Sequence, residues 1–214
     1  MPTLEEQLRA GVALLQKHKL SFAVAGGMAA SIYREEERLT KDIDFIIDGS
    51  GDLVQLSKEM ISELGLRTLA VRKADLEGGP LFAIKKKNTA VMLLIGRDPD
   101  KKAPGVDFLL PINNWVPRAL ERAKHNMLDW GFERLPTLTA EDVIVAKLIS
   151  SKSKNREQDI LDLRSIFRSE CILDFTYLIA RMKEFSLSLP MPVYDSSPIE
   201  LQRASRRIAR QNKS

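Results

Sequence analysis

Residues 22–47, FAVAGGMAASIYREEERLTKDIDFII, constrain the fold more tightly than any other stretch of the chain. A short apolar run of strand character stops at Gly26-Gly27, helix-forming residues follow, and a second strand then carries Asp42 and Asp44 on alternate positions. Side chains at i and i+2 of a strand share a face, so both carboxylates point one way while Ile43 and Phe45 point the other. Two such anions repel, and burial would raise one pKa, unless a cation lies between them. Hard divalent Mg²⁺ prefers oxygen ligands and would keep both ionised. The glycine pair gives the backbone room to approach a ligand, and the N–H groups that open the next helix suit a phosphate.

A phosphate cradle and a carboxylate pair joined by one helix are parts for metal-assisted nucleotidyl transfer, which in its two-metal form needs a further carboxylate. GVDFLL supplies a candidate, because Asp107 is flanked by apolar residues in a predicted strand, where an unpaired charge is costly. The one cysteine, Cys171, and the two histidines, His18 and His125, exclude a disulfide framework and leave little for a thiolate or imidazole metal site. Any metal is therefore expected on carboxylates. Lys147 interrupts the apolar run Ile144, Val145, Ala146, Leu148, Ile149, so its ammonium must reach water, an anion or a ligand.

The rest of the chain reads as α+β. Leu4, Leu8, Val12 and Leu15 predict a helix over about residues 3–17, and a second helix follows over 52–64. Short strands are expected in LRTLAV, LFAIKKK, AVMLLIG and GVDFLLPI, separated by turn-rich EGGP and polar RDPDKKAP. Helical periodicity returns in VPRALERAKHNML, TAEDVIVAKLISS, REQDILDLRSIF and CILDFTYLIARMKEF, with Thr139 and Asp142 placed to cap the second of these. The expected divisions are a core over 1–114, a helical region over 115–185 that completes the site, and a linker with a basic C-terminal segment over 186–214. YREEER reads as a solvated helix face, and Arg156, Asp159 and Asp162 also fit helix-surface partners at three-residue spacing. The first residues fit neither a signal nor a transit peptide, and no segment is apolar enough for a bilayer, so the expected protein is cytoplasmic with no membrane partner. A net charge of +4, concentrated in Arg203, Arg206, Arg207, Arg210 and Lys213, is compatible with a polyanionic partner and equally with a solubilised terminal helix.

GGMAASIYREEERLTKDIDFII resembles the glycine-pair and Asp-x-Asp signature of the DNA polymerase beta-like nucleotidyltransferase superfamily. With Arg38, Thr40 and Lys41 ahead of the aspartates it is similar to the AbiEii-type toxin branch. TAEDVIVAKLISSKSKNREQDILDLRSIF is similar to that branch's Glu-Asp, Lys and Arg-x-x-Asp-x-x-Asp-Leu pattern, with Gln158 where the family commonly has a basic residue. The resemblance implies a nucleotidyltransferase-fold mixed sheet flanked by helices and followed by a C-terminal helical region. It implies Mg²⁺ on Asp42, Asp44 and Asp107, and catalytic roles for these with Lys147 and Asp159. Gly26, Gly27, Lys41, Lys147 and Arg156 would bind the NTP. A tRNA 3′ end is then the expected acceptor, and a cognate antitoxin the expected partner. Transfer to a small molecule or protein side chain, a silent nucleotide-binding module, and RNA binding through the C-terminal arginines remain open at this level.

Overall fold

A computed structural model describes residues 1–36, 40–75, 89–111, 114–151 and 156–211, and the side chains of all of these except 70–75 and 89–91. Arg38, the turn EGGP, the strand expected in LFAIKKK and Lys213 lie outside the described residues. The architecture is a mixed five-stranded sheet flanked by helices, with a helical C-terminal region.

The first helix, α1 (Leu4–Lys17), starts where Thr3 and Glu6 form a reciprocal capping box, and it buries Leu8, Val12 and Leu15. Strand β1 (Ser21–Val24) leads through Ala25 directly into α2 (Gly26–Tyr33), so the glycines open the helix rather than forming a separate turn. Strand β2 (Asp42–Asp48) and helix α3 (Leu53–Glu63) follow, the latter capped by the Asp52 carboxylate on the N–H groups of Val54 and Gln55. Strands β3 (Arg67–Asp75), β4 (Thr89–Arg97) and β5 (Gly105–Leu109) complete a sheet ordered β1-β2-β5-β4-β3. Among the described strand pairs of this sheet only β2–β5 is parallel, and it sets Asp44 opposite Asp107 and Asp42 opposite Gly105.

Alternation then divides the core. Ile43, Phe45, Ile47, Val106, Phe108 and Leu94 pack with α1 and α3 on one face. On the other, Ile46 and Leu109 meet a helical layer made of α4 (Trp115–Ala123), α5 (Ala140–Ser150), α6 (Glu157–Arg168) and α7 (Phe175–Glu184). Thr139 caps α5 through the N–H of Asp142, as its spacing predicts. Helix α4 stops at Ala123, short of the expected continuation through Leu128. Met127–Asp129 instead forms β6, hairpinned with β7 (Arg134–Pro136) about Trp130-Gly131, where Gly131 adopts φ +86°.

Residues 186–198, expected as a linker, are packed: Leu187, Leu189 and Val193 join the helical core, and Met191–Tyr194 forms the short α8. Helix α9 (Ile199–Gln211) buries Leu201, Ala204, Ser205 and Ile208 and packs on α7, so the basic segment is the outer face of an amphipathic helix. Among the described residues no helix is long and apolar enough to cross a membrane.

Candidate active site

The sheet register brings the carboxylates together. Asp42, Asp44 and Ile46 lie on the helical-layer face of β2, and the parallel pairing sets Asp107 beside Asp44 on that face. Antiparallel β4 places Ile95 opposite Asp107, so Arg97, two residues further on, emerges on the same side. Sequence reasoning passed over Arg97. The signal was a lone guanidinium ending the apolar run AVMLLIG, in phase with Leu93 and Ile95.

Asp44 is fixed by the start of α2. The N–H of Ala25 donates to the Asp44 carbonyl at 2.8 Å, and the Gly27 N–H donates to its carboxylate. Gly26 has φ +57°, and a Cβ there would lie 1.8 Å from Asp44 Oδ2, so the carboxylate occupies the space that the missing side chain leaves. The amide expected to hold phosphate is thus given to Asp44, although both glycines line the cavity. Surrounding protein raises the Asp44 pKa, and Asp42 adds to the rise; Lys147, the Gly27 amide and Arg97 act against it.

Asp107 is gripped by Arg97. Nη1 donates to Oδ1, Nη2 donates to Oδ2 at 3.1 Å, and the same Nη2 reaches Asp42 Oδ2 at 3.1 Å. The Asp107 side chain is 9% exposed against 43% for Asp42. Burial pushes the Asp107 carboxyl up to about 7, helped by the charges of Asp44 and Asp42 and opposed by Arg97. The β4–β5 connection that presents Arg97 is wound around Asp98, whose carboxylate accepts the N–H groups of Asp100, Lys102 and Ala103 at 2.9–3.0 Å. These bonds hold the Asp98 pKa below its ordinary value.

The opposite wall is helical. Lys147 Nζ lies 2.8 Å from Asp159 Oδ1 and 2.7 Å from Asp162 Oδ2, and Ser150 Oγ donates to Asp159 Oδ2 at 2.6 Å. Burial pulls the Lys147 pKa down, but the two carboxylates outweigh it and hold the ammonium charged. Asp162 also accepts Arg34 Nη1 at 2.9 Å in a pair whose side chains are 0% and 6% exposed. This corrects two surface readings: Asp159 and Asp162 lie on the buried face of α6, and Arg34, in the YREEER run, is a buried cation. Arg156 Nη1 stands 4.0 Å from Asp159 Oδ2, and Lys41 is exposed beside Asp42.

One cavity of about 610 Å³ lies between sheet and helices, lined by Gly26, Gly27, Lys41, Asp42, Asp44, Arg97, Asp107, Lys147, Arg156 and Asp159. Its volume is in the range of small-molecule sites. The cavity's carboxylate oxygens suit a hard divalent cation, and Asp42 and Asp44 stand side by side on one strand face there. Asp42 and Asp44 fit such an ion. Among the described residues no three carboxylate, imidazole or thiol groups stand together as a metal site, and Asp107 is held by Arg97.

A protein-family model described as nucleotidyl transferase AbiEii toxin, type IV toxin–antitoxin system, matches residues 10–203. No curated protein matches the sequence. Solved structures similar to the chain include an antigenic nucleotidyltransferase-like protein from Paracoccidioides brasiliensis, at 14% identity and TM-score 0.41, covering 97% of this chain and 88% of that one. Another is the antibiotic-resistance factor ANT(2″)-Ia, at 11% identity and TM-score 0.47, covering 98% and 92%.

Proposed function

The chain belongs to the nucleotidyl transferase AbiEii toxin family of type IV toxin–antitoxin systems, and from that membership we propose that it transfers a nucleoside monophosphate from an NTP to a tRNA 3′ end, with release of pyrophosphate. Membership makes it a nucleotidyltransferase and implies a nucleotide substrate and a cognate antitoxin. The observation that carries the reading is the cavity in which carboxylates on the sheet face cations on the helices.

In this reading Asp42 and Asp44 present the oxygen donors for Mg²⁺, with Asp44 steadied by the Gly27 amide. A divalent ion held by these two carboxylates would supply charge neutralisation for a triphosphate undergoing displacement at its α-phosphorus. Lys41 and Arg156 add positive charge toward the leaving pyrophosphate. Lys147 contributes a further cation, kept protonated and oriented by Asp159 and Asp162. The tRNA acceptor is supported by the family resemblance and by the net positive charge.

Incubation with each α-labelled NTP, Mg²⁺ and total RNA tests this. Label is expected on tRNA with one preferred nucleotide, and the Asp42→Ala/Asp44→Ala variant is expected to lose at least ~10²-fold of the activity. Absence of label from RNA with all four NTPs, while label appears on another acceptor, would overturn the tRNA assignment.

A further inference from the structure

Arg97 stands where a second metal ion would be expected, and three features make its position a built one. Its fork grips Asp107 through both nitrogens and both oxygens, the bidentate geometry that distinguishes arginine from a point charge. The partner carboxylate is nearly enclosed, whereas Asp42, which Arg97 touches through Nη2 alone, is open to the cavity. Between them lies Gly105, and a Cβ there would come within 2.7 Å of both Arg97 Nη1 and Asp42 Oδ1. The missing side chain in β5 is thus the passage through which Arg97 crosses from β4 toward β2.

A guanidinium and a divalent cation repel, and Arg97 already engages both oxygens of Asp107, so an ion taking Asp107 as a ligand works against that grip. Departure of Arg97 would strand an enclosed carboxylate beside a second cation site while freeing only one long side chain. Releasing the open Asp42 contact is far easier, because water can replace it.

We propose that Arg97 is the resident cation of the site, holding Asp107 out of the metal's ligand set so that Asp42 and Asp44 take a single divalent ion. This rests on the reading of Asp42 and Asp44 as metal donors. Asp107 then positions Arg97 beside the ion, and the chain supplies as a side chain the positive charge that a second metal would bring.

Mn²⁺ alone, titrated into the metal-free protein and followed by the EPR signal of the free ion, tests the proposal without turnover. Wild type is expected to bind one Mn²⁺ per chain, and Asp107→Asn still to bind one. Arg97→Met is expected to gain a second Mn²⁺, lost again in Arg97→Met/Asp107→Asn. Two ions per wild-type chain would overturn the proposal, since the second would need Asp107 as a ligand. Wild-type stoichiometry decides this even where Arg97→Met fails to fold. Failure of the underlying reading has a different signature, one bound Mn²⁺ that survives Asp42→Ala/Asp44→Ala.

Discussion

Asp44 sits where the protein's needs conflict. Its carboxylate is set against the start of α2, surrounded by protein and next to Asp42, and its pKa is raised mainly because burial disfavours the charge. A raised folded-state pKa means that the folded protein holds the proton more tightly than the unfolded chain. The associated stability is fully present below the ordinary carboxyl range and is lost as pH rises through the raised value. Metal-free Asp44→Asn, whose amide oxygen still accepts the Gly27 N–H, is therefore expected to melt above wild type at pH ~8, while losing activity. The gain should shrink as pH falls toward ~4, as melts in the presence of a chelator would reveal; equal melting points across the range would refute it. The shared face of Asp42 and Asp44 was readable from their spacing alone, because period two fixes it in any strand. Arg97 was not readable in the same way: its meaning depends on the β4–β5 register and on the gap at Gly105, neither of which a linear sequence displays.

Among elements, α2 is the clearest case of tertiary contact overriding local preference. Helix-forming composition continues to residue 38, yet the helix ends at Tyr33 and Arg34 turns to extended backbone with ψ 150°. The diverted segment is held by α6: Glu35 N–H reaches the Ser165 carbonyl, Glu36 N–H reaches Ser165 Oγ, and Arg34 pairs with Asp162. Because Asp162 also pairs with Lys147, Arg34 links the end of α2 to the cavity wall. Arg34→Met leaves Asp162 one cation fewer in a fully enclosed position and is expected to destabilise by about 3 kcal/mol, roughly 6–12 °C in Tm. A change below ~1 kcal/mol in urea melts would show that the pair adds little. The helices α1, α3 and α5 were legible because caps and apolar periodicity agreed. The β6–β7 hairpin was missed because its strands are three residues each, too short for alternation to register.

At the scale of the molecule, the C-terminal residues belong to the core. Leu187, Leu189, Val193, Leu201 and Ile208 are all buried in the cluster that contains Val145 and Leu148 of α5. At about 1.5–3 kcal/mol for each enclosed aliphatic side chain, these five contribute roughly 8–15 kcal/mol, comparable to the whole stability of a domain. Removal of residues 187–214 is expected to abolish cooperative melting, whereas Arg203, Arg206, Arg207 and Arg210 changed together to Gln should melt within a few degrees of wild type. A truncated chain that still melts cooperatively would contradict this. The compositional break at 186–198 misled because Pro and Ser suggest a tether, while the information lay in three spaced apolar residues that dock singly. One consequence reaches back to β2, whose helical-layer face runs Asp42, Asp44, Ile46. Sliding this strand by one residue against β5 would drive both carboxylates into the oily side packed by α1 and α3, and sliding it by two would carry one into the place of Ile46. The two aspartates thus act as proofreaders of the chain's folding, since a misaligned sheet is one they render unstable.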